Sequence, residues 1–216
     1  MTLTEPTRII ALRHGQTAWN SDARIQGHLD IPLDDTGRWQ AGRAAQALAD
    51  EQIDAIYASD LARAADTARA IAQAHGRPLI LEPGLRERHF GSFQGQTFAQ
   101  VEAEQPEVAL RWRKRDPDFA PPDGGESLAR LHERIRRVTG EIAARHPGEQ
   151  IVLVAHGGVM DLLYRLATGQ GLLAPRTWAL GNAAINRLLW TPEGLSLVGW
   201  SDVRHLESGS LDESTT

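Results

Sequence analysis

The chain has 216 residues, a formal net charge of −5, 41% hydrophobic and 24% charged residues, and no cysteine. That length can bury a substantial core, and the missing thiols exclude disulfides, zinc fingers, iron–sulfur clusters and a cysteine nucleophile at once. The acidic balance gives no support to nucleic-acid binding, and neither a membrane-length apolar run nor an apolar signal core in the opening MTLTEPTR is present, so a cytoplasmic protein is expected.

Residues 8–12 are a short apolar run, β-branched at Ile9 and Ile10, which predicts a buried strand. The strand runs out at Arg13-His14-Gly15, and residues 21–33 read as loop. Asp35-Thr36-Gly37 opens an alanine-rich helix to about residue 51. A second strand spans 53–57 and ends in Ala58-Ser59-Asp60, followed by a helix over 61–74 that Gly76 and Pro78 stop. Residues 79–81 form a third strand. The stretch 82–96, rich in glycine and charge, is too irregular for either element and reads as a functional loop. Two helical pieces then meet near Pro106, and DPDFAPPDGG (116–125) is a rigid breaker. An amphipathic helix runs from 126 to about 145, with Leu128, Leu131, Ile135, Val138 and Ile142 on one face. The buried strand 151–154 ends in AHGG, a helix begins near Val159, and strands at 184–190 and 195–200 complete the sheet. The tail ESGSLDESTT, from Glu207, has a disordered composition.

Helices alternating with short β-branched strands predict an α/β fold: a mostly parallel, mixed sheet with helices on both faces. No repeat or linker divides the chain, so a single domain over residues 1–216 is expected. In such sheets ligands bind beyond the carboxyl ends of the strands. Arg13-His14, the Asp60–Arg63 stretch, the loop with Glu87, and His156 all follow strands and converge on one edge.

Two histidines and a carboxylate suit a metal, but Arg13 and Arg63 would set positive charge beside it, which weighs against a cation. Arginines instead grip phosphate oxygens with paired donors. Phosphoryl transfer asks mainly for positioning and for stabilisation of a spread negative charge, which two guanidiniums and a second histidine supply without magnesium. Neither a GxxxxGK[ST] loop nor a GxSxG elbow is present. A neutral imidazole can attack phosphorus directly, and the adjacent Arg13 favours that neutral form. Glu87 is then the best placed acid for the leaving alkoxide, or else an exposed loop glutamate.

The ordered motifs LRHGQTAWN, SDLARAADTA, LRERHFGSFQG and VAHGG, with a closing WSDVRHL, resemble the histidine phosphatase superfamily, the phosphoglycerate mutase-like proteins, over about residues 9–206. The resemblance implies a mixed α/β sheet sandwiched by helices. It also implies that His14 is the phosphorylated nucleophile, that Arg13, Arg63 and His156 complete the phosphate pocket, and that Glu87 is the proton donor. Asn20 stands in the RHGxTxxN pattern, near the phosphate in this family; Gln26 and Gly27 join it as substrate-binding candidates, as does Gly157. Gly157 follows His156 where another branch has an aspartate donor, which places the chain in the glutamate-donor branch. No metal or cofactor is called for, a small phosphorylated metabolite is the expected partner, and a homodimer is left open.

The remaining histidines separate by position. His75, His132 and His146 lie on or beside helix surfaces and read as solvated or structural, whereas His28 and His89 border the cleft. The tryptophans read as packing residues except Trp112, in the segment before Pro121; the neighbouring Arg113 and Lys114 are solvated charge or, by resemblance, a mutase's paired basic residues.

A phosphatase admits water to the phosphohistidine; a mutase returns the phosphate to another carbon of its substrate. Phe90 stands where a mutase has tyrosine, Phe98 where it has lysine, and Gly158 where it has asparagine, each a lost polar contact. IQGHLDIPLDDTG and PPDGGES also resemble the small phosphatase branch. A phosphomonoester hydrolase is therefore favoured, with a bisphosphoglycerate-dependent phosphoglycerate mutase as the alternative and a non-catalytic binding module a distant third. Sugar phosphates, phosphoglycerates and the phosphorylated nucleoside of cobalamin synthesis all stay open as substrates.

Overall fold

The structure, a computed structural model, describes residues 5–207. The disordered reading of the tail therefore falls, beyond Glu207, outside the described residues. Six strands form one sheet: β1 (Thr7–Arg13), β2 (Ala55–Ala58), β3 (Leu79–Leu81), β4 (Gln150–Ala155), β5 (Ile185–Thr191) and β6 (Gly194–Asp202). Their order is β3-β2-β4-β1-β5-β6; β1, β2, β3 and β4 pair in parallel, while β5 and β6 are added antiparallel at one side. The expected mixed, mostly parallel sheet is what forms.

Strand alternation splits the core in two. Ile9, Ala11, Ile151 and Leu153 face α6 (Leu128–Ala143) and α7 (Gly157–Thr168). Ile10, Leu12, Val152 and Val154 face α2 (Asp35–Leu48) and α3 (Ala62–His75), whose alanines let the helices lie close. The stripe of Leu128, Leu131, Ile135, Val138 and Ile142 is buried as its period predicts. Ser127 caps α6, accepting the Arg130 N–H, so the helix begins at Leu128 and not at residue 126.

Two element boundaries shape the edge of the sheet where the strands end. Helix α7 begins at Gly157, earlier than the expected start near Val159, because His156 already has extended N-cap geometry. This brings the first helical N–H groups to the strand end. The irregular loop after β3 contains two 3-10 turns, Pro83–Leu85 and Gly91–Phe93, and leads to α4 (Phe98–Glu104) and α5 (Pro106–Arg113). These helices form a separate apolar cap around Phe93, Val101, Ala109 and Phe119.

Two short helices lie outside the expected pattern. Helix α1 (Ala18–Ser21) follows the first strand end, held by a capping box between Thr17 and Asn20, and α8 (Arg204–Glu207) ends the described chain.

Candidate active site

Register alone brings the two site histidines together. Strands β1 and β4 are parallel neighbours with Arg13 opposite Ala155, so each strand is followed at the same level by a histidine. The His14 N–H donates to Ala155 O at 2.9 Å, and the two imidazole centroids lie 5.3 Å apart. Gly15 cannot be larger: a Cβ there would stand 2.4 Å from Gly37 O, where the loop packs on the start of α2.

His14 is 3% exposed. Its Nδ1 lies 2.7 Å from Gly15 O, and since a carbonyl only accepts, the proton sits on Nδ1 and the lone pair on Nε2. Burial, then Arg13, then Arg63 hold its pKa well below 6.5. The Arg13 charge therefore favours the neutral ring as expected, but burial is the larger cause. His156 is fully buried, depressed in the same direction by burial first and by Arg63 next, and neither ring nitrogen has a hydrogen-bond partner among the described residues.

Arg63 lies on the first turn of α3, 1% exposed, and donates to Leu29 O and Gly27 O at 2.9 and 2.8 Å. Burial lowers its pKa to about 10, so it stays charged at neutral pH. Gly27 supplies its carbonyl from a left-handed conformation at φ 53°, where a Cβ would meet Gln94 Oε1 at 2.2 Å. Arg13 donates to Leu180 O at 2.6 Å, and its Nε is buried without a partner among the described residues. Asn20 Oδ1 accepts from the Thr17 N–H and hydroxyl, both at 3.0 Å, which fixes the amide at the loop after β1.

The irregular loop delivers Glu87 to the same place. Its Oε2 accepts the Gly158 N–H at 3.0 Å, at the start of α7. A small cavity of about 130 Å³ is lined by Arg13, His14, Asn20, Gln26, Gly27, Arg63 and Glu87, together with Arg24 and Phe90. His156 lies beside His14, and Gly157 lies on the wall of a second, larger cavity of about 430 Å³. Arg13 and Phe90 line both. The smaller cavity has the size and charge for one phosphoryl group, the larger for what the phosphate is attached to.

His28 does not head the site. Its Nε2–H donates to Glu87 O at 2.8 Å, and its ring meets His89 edge-on at 4.8 Å, so it braces the Glu87 backbone. Trp112 packs on Phe90, Phe93 and Phe98, and lines the larger cavity. Phe98 belongs to that apolar cap. Arg113 pairs with Glu102 and Lys114 is exposed. Arg115, which the sequence reading passed over, is the basic residue of that run that reaches the larger cavity, along with Arg88 and Arg176. Asn182 was also missed; its amide donates to His14 O at 2.8 Å. His146 is structural as expected, bonded to Tyr57 and Glu149.

A mixed α/β sheet with a buried histidine and two arginines lining one cavity beyond its parallel strand ends is the arrangement of a phosphoryl-handling protein of the α/β class. A family model described as histidine phosphatase superfamily (branch 1) matches residues 9–203, and the chain belongs to that family. It is 40% identical over 209 residues to phosphoglycerate mutase-like protein 4 of Arabidopsis thaliana, covering 95% of this chain and 90% of the relative. It is 37% identical over 207 residues to metal-independent phosphoserine phosphatase of the same plant, covering 95% and 85%. The solved structure of mycobacterial glucosyl-3-phosphoglycerate phosphatase with VO3 superposes with a TM-score of 0.79 at 37% identity, over 90% of this chain and 98% of that one.

Proposed function

We propose that the chain is a phosphomonoester hydrolase of the glutamate-donor branch, working through a phosphohistidine at His14. The carrying observation is His14 itself: buried, its proton held on Nδ1 by Gly15 O, and flanked by two arginines. Nε2 attacks phosphorus in line as the ester P–O bond breaks. The charge spread over the phosphoryl oxygens meets Arg13, Arg63 and His156, with Asn20, Gln26 and Gly27 shaping the pocket and Gly157 on the wall of the larger cavity beside it. Glu87 gives its proton to the leaving alkoxide. In the second step the Glu87 carboxylate takes a proton from water as its oxygen attacks phosphorus; the P–N bond breaks, inorganic phosphate leaves, and the starting protonation is restored.

Two relatives named as phosphatases, for phosphoserine and for glucosyl-3-phosphoglycerate, support hydrolysis of small phosphorylated metabolites. The mutase reading keeps one support in the name of the Arabidopsis mutase-like relative. It loses another because Arg113 and Lys114 stand away from both cavities. The deciding experiment combines rapid quench with product analysis. Wild type on p-nitrophenyl phosphate should yield an acid-labile, base-stable phosphate on His14, absent in His14→Ala. With 3-phosphoglycerate and bisphosphate activator, inorganic phosphate should appear faster than 2-phosphoglycerate; the reverse order would make the mutase the correct reading.

A further inference from the structure

Glu87 lies between two 3-10 turns, in neither a ladder nor a helix, yet an acid displaced by an ångström loses much of its effect. Its backbone is held from the far side by one guanidinium. Arg134, on α6, has five N–H groups, and each one has an acceptor. Nη1 donates to Gly84 O and Arg86 O at 2.7 and 2.9 Å, and Nη2 to Glu87 O at 3.3 Å. The remaining two, from Nε and Nη2, go to the Glu126 carboxylate at 2.9 and 2.7 Å. The two side chains are 20% and 17% exposed, so solvent screens the pair only partly.

Glu126 belongs to PPDGGES, a motif that the catalytic reading leaves without a task. Its backbone serves the same loop: its N–H donates to His89 O at 2.8 Å, and its carbonyl accepts from Arg88 Nε at 2.7 Å. Pro122 O likewise accepts the Ser92 N–H at 3.1 Å, in a contact so close that a Cβ on Gly91 would lie 1.7 Å from that oxygen. The segment is thus laid along the loop from residue 88 to 92, and its carboxylate orients the arginine that grips residues 84 to 87.

We infer that Arg134, oriented by Glu126, is a positioning residue for the general acid, fixing the Glu87 backbone so that the carboxyl reaches the leaving oxygen. This rests on the reading of Glu87 as the proton donor. Lysine keeps the charge opposite Glu126 but has three diverging donors and cannot span three carbonyls and a carboxylate.

The test compares single-turnover burst rates on p-nitrophenyl phosphate and phenyl phosphate, esters of similar shape whose leaving oxygens differ greatly in basicity. Arg134→Lys should slow phenyl phosphate by about 10- to 100-fold, part of what a positioned acid supplies, and p-nitrophenyl phosphate by only about threefold. Glu126→Gln, which keeps one acceptor oxygen, should move the ratio the same way by less. In a Glu87→Gln background, Arg134→Lys should add no more than about twofold, the error of additivity for independent sites. Equal slowing of both esters by Arg134→Lys, or a full further loss in the Glu87→Gln background, would overturn the inference in favour of a general structural tie. Equal slowing of both esters by Glu87→Gln alone would instead remove Glu87 as the acid, and the inference with it.

Discussion

Glu87 and Gly158 are fitted to each other. The Gly158 N–H donates to Glu87 Oε2 at 3.0 Å, and a Cβ on Gly158 would stand 2.3 Å from Glu87 Oε1. The carboxylate therefore occupies the space that any side chain at position 158 would take. An asparagine there, as in the mutase pattern, would require Glu87 to sit elsewhere. What the sequence presents as a lost polar contact is, in the folded chain, room for the Glu87 carboxylate.

Gly158→Ala should accordingly separate activity from stability. The displaced group is the flexible end of Glu87, so the fold adjusts and the melting temperature should stay close to that of wild type. Turnover of alkyl phosphates should fall by about 10- to 100-fold as the acid moves off its position. Thermal melting alongside phosphate release checks both. An active variant, or an inactive one that melts well below wild type, would show that the contact between these residues is not what limits catalysis.

The His14–His156 pair was legible because each follows a parallel strand, and parallel neighbours in register bring such residues side by side. Arg63 was legible for the same reason, on the first turn of the helix after β2. Glu87 could be placed only in a loop, since its position depends on Arg134, His28 and the α7 terminus, none of which has a periodic signature. Asn182 reaches His14 because the Ala183 N–H bonds to Arg13 O, extending the β1–β5 pairing past its ends. Arg115 was hidden by a local reversal. Its φ of 56° at the end of α5 sends it away from the exposed side where Arg113 and Lys114 lie, and no spacing rule announces a left-handed arginine.

The buried histidines make a sign-specific prediction for stability. His14 is held well below its ordinary value of 6.5 in the folded state. Above that pH both folded and unfolded forms are neutral, and the contribution is complete. As pH falls below 6.5 the unfolded chain takes up a proton that the folded chain refuses, so stability declines until the folded pKa is reached. One such group gives a slope of up to about 1.4 kcal/mol per pH unit. Urea melts between pH 7.5 and 5.5 should show a wild-type slope steeper than that of His14→Gln by up to this amount. Identical slopes would mean that His14 titrates alike in the folded and unfolded chain, and a wild-type slope shallower than the variant's would mean that the folded protein holds the proton, which would remove the lone pair for attack.

If the arginines supply the positive charge at the phosphate, exhaustive EDTA dialysis should leave turnover of p-nitrophenyl phosphate unchanged, and vanadate should compete with substrate. Vanadate can adopt the five-coordinate geometry of the transferring phosphorus, and Arg13 and Arg63 already surround the cavity where it would sit. Activity that vanishes on dialysis and returns with added zinc or magnesium would restore the metal site that the charge argument rejected.

The last prediction separates the resemblance from the geometry in the basic run after Trp112. By resemblance, Arg113 and Lys114 are the pair that would hold a doubly anionic substrate. In the folded chain Arg113 is paired with Glu102 and stacked over Phe98, and Lys114 is exposed. Arg115 instead turns inward, donating to Asp161 Oδ2 at 2.6 Å and to Leu172 O at 2.8 Å, on the wall of the larger cavity. Asp161 keeps a second cation, Arg165, at 3.1 Å, so removing Arg115 does not leave a buried carboxylate alone. Replacing Arg113 and Lys114 together by serine should change kcat/KM for 3-phosphoglycerate hydrolysis by no more than about twofold, as exposed charges contribute little. Arg115→Ser should lower it by about 10-fold or more, the order expected for a lost charge-assisted hydrogen bond. The loss should be smaller for glycerol 3-phosphate, which lacks the carboxylate. If the serine pair costs as much as Arg115→Ser, the exposed residues reach the substrate after all, and the cap formed by α4 and α5 must close further than it does here.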